Sequence, residues 1–237
     1  MFGGFVTPWG IKPFDDAIGG LPSNVFNVVQ TENNQVGLLA LGHFLMEGLI
    51  HGERCTLLTF ENPLTFLESF EALHFDFYKY LKSEQFMYLS YRSNISQEIG
   101  LSQSYESLIA EVHRLSLQPS HRVALHQMDT LLNLQSQMLI NACTLKLVGA
   151  TNNSSSTFLG QFVNFPDPTY RAVRIACLKT MSGYFSLKNA SDDDQNILEL
   201  RVERIPSFEH IERRVGLQFE LGKGFIGLGE GSDGKAA

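Results

Sequence analysis

Between Lys12 and Arg54 the chain contains no lysine and no arginine. Cysteine is scarce as well: Cys55, Cys143 and Cys177 are odd in number, far apart and set in apolar runs. Such an arrangement offers neither a disulfide framework nor zinc-ligand spacing, so the three read as reduced core thiols of a cytoplasmic protein. The opening MFGGFVTPWG has no charged stretch leading into a long apolar run, which is not the pattern of a signal peptide. Long apolar runs are missing elsewhere too. The most apolar helical stretch is interrupted by Gly42, His43, Glu47 and Gly48, so no membrane span is expected. Basic residues are outnumbered, and a net charge of −7 argues against a surface built to hold nucleic-acid phosphates. There is no repeat at solenoid periods and no G-x-S-x-G pattern. His43, His51, His74, His113, His121, His126 and His210 form no local metal motif, and His43 and His51 read as exposed helix positions. No metal and no cofactor are expected.

What is present is a chain of 237 residues, 43% apolar and 18% charged, enough for one substantial globular core. Its organising stretch is 25–61, which reads strand, loop, helix, strand. The strand is VFNVVQ, with 25–29 apolar and rich in β-branched residues. Leu38, Leu41, Leu45 and Leu49 then recur at helical spacing, Gly52 ends the helix, and 55–60 is a second buried strand.

The rest divides as follows. Residues 1–24 form an approach segment with a short helix over about 12–19, carrying Ile11, Phe14 and Ile18. A helix is expected over 63–80, a strand over 86–91, a helix over 102–118, a strand over 123–128, a helix over 130–142 and a strand over 144–150. Residues 151–168 read as a long loop, of the kind that is usually functional or mobile. Strands follow at 172–180, 183–188 and 197–205, then a hairpin of 217–220 with 225–228, and 229–237 reads as a disordered tail. The alternation predicts a single domain, 1–228, of α/β class: a mostly parallel central sheet flanked by helices in three layers, with an antiparallel β-meander at its C-terminal end.

WGIKPFDDAIGGLP, VFNVVQ, FLMEGLIHGERCTLLTFENP and SGYFSLK…NILELRVERIP…LQFELGKGFIGL, taken together, resemble the RecA-like ATPase fold in its KaiC-like branch. The resemblance spans nearly the whole chain. It implies a phosphate loop after the first strand, and there the sequence departs from the family. An active loop is glycine-rich and ends in Gly-Lys-Thr/Ser. This one is QTENNQVGL, from Gln30 through Glu32, Asn33 and Asn34, with Val36 and Gly37 at the Lys and Thr places. His126 stands where the family has the Asp that organises Mg²⁺, and Asp129 lies about one turn later. Glu61 matches the family's water-activating glutamate, and Asn62 replaces the second acid. A triphosphate carries about three to four negative charges, and each lost charge-assisted hydrogen bond forfeits about 1.5–3 kcal/mol.

The expectation is therefore a pseudo-ATPase that is not an enzyme and has no catalytic residue. It would act as a scaffold or adaptor, held by protein partners in a hetero-oligomeric complex. Trp9, Phe158, Phe162 and Phe165 are the candidate partner anchors, against a lid or sheet-covering role for the same rings. Two other readings stand beside it. One is a sensor that binds a nucleotide unconventionally, using Asn33, Asn34 and the helix N-terminus. The other is a recombinase-like DNA-binding accessory protein.

Overall fold

The structure, a computed structural model, describes residues 6–59, 61–90, 98–118, 121–129, 137–151, 154–164, 168–190, 197–205, 214–220 and 224–228. Phe165, the first half of the helix expected at 130–142, and the tail 229–237 lie outside the described residues. A two-residue strand β1 (Val6–Thr7) pairs antiparallel with β2 (Leu21–Pro22), and α1 (Lys12–Ile18) sits between them. The organising unit follows as β3 (Phe26–Thr31), α2 (Asn34–Ile50) and β4 (Arg54–Thr59). Next come α3 (Pro63–Ala72), α4 (Tyr78–Lys82), β5 (Phe86–Ser90), α5 (Glu98–Ser116) and β6 (His121–Leu125). The chain continues through α6 (Gln137–Thr151), β7 (Thr157–Val163), α7 (Pro168–Thr180), β8 (Gly183–Asn189), β9 (Ile197–Arg204), β10 (Arg214–Glu220) and β11 (Gly224–Gly227).

Nine strands form one sheet in the order β11-β10-β9-β8-β3-β7-β6-β4-β5. From β8 to β5 every neighbouring pair is parallel, and β9, β10 and β11 add antiparallel strands at the C-terminal edge. Helices α1, α2 and α3 bury their apolar faces in one core, on one side of the sheet, and α4 packs Tyr80 and Leu81, partly buried, against it. Helices α5, α6 and α7 form a second core on the other side. The molecule is thus α/β, with a large, mostly parallel sheet between helical layers.

α2 crosses β3, β7, β6 and β4, and ten of its residues are buried, from Val36 to Leu49. The N-terminal approach segment is fastened onto it. The Trp9 indole donates to the Ala40 carbonyl at 2.9 Å, and its ring meets Phe14 and Phe185 edge-on. Both Asp15 oxygens accept backbone N–H groups, from Trp9 and Gly10, at 2.8 Å each. Gly10 has φ +85°, and a Cβ there would lie 2.6 Å from the His43 carbonyl oxygen, so the close approach to α2 requires glycine.

Arg122, only 2% exposed, ties this assembly to the sheet. Its guanidinium forks onto Glu53 at 2.8 and 3.0 Å and also donates to the carbonyls of Pro8 (2.6 Å) and Phe44 (3.1 Å). Gly48 makes room for it, since a Cβ there would come within 2.6 Å of the Arg122 side chain.

Four expectations are corrected. Residues 144–150 are the second half of α6 rather than a strand. Ile140, Thr144, Leu147 and Thr151 are buried at helical spacing, and Thr144 Oγ1 satisfies itself on the Ile140 carbonyl at 3.1 Å. Residues 172–180 are likewise helix, with Val173, Ala176 and Cys177 inward. The stretch expected as a loop at 151–168 contains β7, a central strand buried along its whole length. The helix expected at 63–80 is two, α3 and α4, broken near His74, which takes φ 65°.

Phe158 and Phe162 are each 1% exposed, and Trp9 is fully buried, so none of these three rings offers a surface to a partner. Phe158 stacks on Phe26 at 5.8 Å, and Phe162 packs toward Tyr184 at 6.3 Å. Their work is in the core. Phe162→Ala should cost about 3–5 kcal/mol of stability in a urea titration. A cost within about 0.5 kcal/mol, as at an exposed site, would contradict this placement.

Candidate functional site

Strands β3, β4, β5, β6 and β7 run in the same direction and end on one edge of the sheet. Connections leave that edge toward opposite faces, from β3 to α2 on one side and from β7 to α7 on the other. Open α/β sheets place their ligands at such a divergence. Here it is spanned by a chain of hydrogen bonds. Gln161 at the end of β7 donates Nε2–H to Thr31 Oγ1 at 3.0 Å, and Thr31 donates in turn to the Asn33 carbonyl at 3.0 Å. Gln161 Oε1 accepts the Gln127 backbone N–H at 3.2 Å, and the Gln127 side chain donates to Glu61. The Glu61 N–H donates to Thr59 Oγ1 at 3.1 Å, and Ser90 Oγ donates to the Glu61 carbonyl at 2.8 Å. Five strand ends are thereby joined without one cationic group in the chain of contacts.

The sequence-derived candidates fall into this frame unevenly. Asn33 is the N-cap of α2, its Oδ1 accepting the Val36 N–H at 2.9 Å. Val36 and Gly37 are buried; Glu32 is half-buried; Asn34 is exposed. A Cβ on Gly37 would lie 2.5 Å from Gln161 Nε2, so the missing side chain at 37 is the space the Gln161 amide occupies. Gln30 points to the other face of the sheet, where Tyr184 donates its hydroxyl to Oε1, and it takes no part in the network. Glu61 is held by Gln127 as above. Sequence reasoning missed Thr31, Gln127 and Gln161. The signal for Gln161 was a lone amide inside the apolar run TFLGQFV; that for Gln127 was a residue beside His126, at φ 57°.

His126 is 1% exposed, against the edge of Phe66 at 4.6 Å and with Nδ1 3.4 Å from Thr59 Oγ1. Burial depresses its pKa to about 3, so it stays neutral. Nε2 of His126 and Oδ1 of Asp129 have no hydrogen-bond partner among the described residues. Burial, opposed by its own backbone N–H and reinforced by nearby Glu61, raises Asp129 to about 6. His43 corrects the exposed-helix expectation. It lies between α2, the approach segment and β11, with Nδ1–H donating to the Gly10 carbonyl at 2.9 Å and Nε2 accepting the Phe225 N–H at 3.1 Å. Burial brings its pKa down to about 4.

Burial also raises all three thiols, Cys177 to about 12, which leaves none poised as a nucleophile. No group of three or more His, Cys, Asp or Glu able to hold a metal occurs among the described residues. No helix among them is long and apolar enough to cross a membrane. Comparison with models of protein families and with curated proteins finds no match for the chain.

Below pH 6.5 the unfolded chain takes up protons on two imidazoles that the folded chain refuses until about pH 4 at His43 and about pH 3 at His126. Stability therefore falls as pH drops through that window. Asp129 and Asp15, whose pKa values are raised, oppose the trend, because the folded chain holds their protons longer as pH rises. Replacing His126 by Asn should reduce the slope of unfolding free energy against pH between 5 and 6 by about 1.2 kcal/mol per unit, whatever its effect on stability at pH 7. An unchanged slope in denaturant titrations would show that His126 is protonated in the fold.

Proposed function

We propose that the chain is a catalytically silent RecA-like domain that works by holding other proteins in a hetero-oligomeric assembly. The observation that carries this is a strand edge closed by its own hydrogen bonds without a cationic group. Where a nucleotide-binding relative needs free backbone donors and a lysine, the N3 donor of α2 is spent on Asn33, and Gln161 lies over Gly37. Glu32, Glu61 and Asp129 make the neighbourhood acidic rather than basic, and the organising unit contains no lysine or arginine before Arg54. An approach segment packed on α2, a parallel sheet and antiparallel strands added at its C-terminal edge support the RecA-like reading of the fold. With the phosphate chemistry gone, the packing surfaces remain as the means of action.

Two measurements test this. Thermal denaturation with millimolar ATP–Mg²⁺, ADP or GTP should leave Tm unchanged. A nucleotide present at about 100 times its Kd would stabilise the fold by about 2.7 kcal/mol, and such a shift would favour the nucleotide-sensor reading instead. The tagged full chain, purified gently from its source cells, should elute with stoichiometric protein partners. Elution as a free monomer would overturn the scaffold reading.

A further inference from the structure

Helices α6 and α7 cover one face of the sheet, yet the outward side of α6 is not the polar surface such a helix normally shows, and α7 adds an exposed isoleucine beside it. Met138 is 75% exposed, Leu145 58% and Ile175 40%. On α6, Met138, Ala142, Leu145 and Gly149 share an exposed stripe at spacings of four, three and four, while Ile140, Thr144 and Leu147 are buried beneath. A helix with so little polar surface on either side is characteristic of a buried one. Between α6 and α7 runs a groove of about 370 Å³ lined by Asn141, Leu145, Ile175, Ala176, Lys179 and Thr180.

The charge of this face is opposite to that of the molecule. The chain carries −7, but α6 and α7 hold Lys146, Arg171, Arg174 and Lys179 and no Asp or Glu. Arg174 is turned in toward Tyr184, leaving Lys146, Arg171 and Lys179 exposed. On the adjoining α5, Glu106 is exposed, and Glu111 is engaged by Arg114.

We infer that the α6–α7 groove docks an acidic amphipathic helix of a partner protein, its apolar residues entering between Leu145 and Ile175 and its carboxylates meeting Lys146 and Lys179. This rests on the reading of the chain as a holder of other proteins. A recess with Lys179 in its lining, and with exposed Lys146 next to Leu145 along α6, suits helical side chains at i, i+3, i+4 and i+7 with acids beside them. A second copy presenting the same face would set lysine against lysine.

The test uses the full chain and two synthetic helical peptides of about 18 residues. Both carry leucines at i, i+3, i+4 and i+7; one is flanked by glutamates, the other by lysines. Fluorescence anisotropy should show the glutamate peptide binding about tenfold or more tighter than the lysine peptide. Leu145→Ser with Ile175→Ser should weaken that binding by about tenfold or more. Lys146→Glu with Lys179→Glu should reverse the preference between peptides. All four positions are exposed, so Tm should hold in each variant. Equal binding of both peptides, or affinity indifferent to both variants, would overturn the proposal. So would binding to phosphatidylserine vesicles, or a concentration-dependent dimer, that Leu145→Ser with Ile175→Ser abolishes; these would assign the face to a lipid surface or to a second copy. If the peptide tests fail while the double-serine variant still elutes with stoichiometric partners, this surface is dismissed and the scaffold reading stands. If no partners elute with the wild-type chain, the reading beneath it falls.

Discussion

Arg122 and Glu53 carry the one interaction that the other contacts presuppose. A guanidinium that is 2% exposed must be satisfied on every side, since a buried cation left unpaired would cost several kcal/mol. Its partners come from three parts of the chain, the approach segment at Pro8, α2 at Phe44 and the turn before β4 at Glu53, while its own backbone pairs within the sheet as part of β6. The residue therefore fixes where α2 lies over the sheet. Once α2 is placed, Trp9 has its acceptor, Gly10 its close approach and His43 its two partners. The strand starts are held by charge, burial and a bidentate fork.

The strand ends are held differently. There the contacts are amide to hydroxyl, amide to carboxylate and backbone to side chain, each individually modest. Such a chain of bonds fixes five strand ends relative to one another. A cationic anchor thus fixes one end of the sheet and a neutral-to-acidic lattice the other.

Much of the architecture was legible in the sequence. The β3–α2–β4 unit, α1, β5, β8 and the three antiparallel strands showed clean apolar runs, alternation or turn residues. The misreadings share a physical origin. β7 is buried on both faces, so it has no alternation, and its Gly160 and Gln161 resemble turn residues although they serve contacts with Met128 and with Thr31. In α6 and α7, valine, isoleucine and threonine suggested strand, while apolar residues on both sides of α6 blurred the helical period. At the strand edge the absence of lysine was readable directly. What fills the space was not, because Gln161 and Gly37 are far apart in sequence and meet only once β3 and β7 pair.

That meeting couples two distant positions. A Cβ at position 37 would lie 2.5 Å from Gln161 Nε2, so a side chain there requires the Gln161 amide to shift, and Gln161 in turn supports Gln127 and, through it, Glu61. The two sites are coupled through contact: a side chain at 37 displaces the amide from Thr31 and Gln127, and shortening 161 removes those same bonds. The two positions thus restrict each other's choice of side chain across the β3–β7 seam, although they lie far apart along the chain.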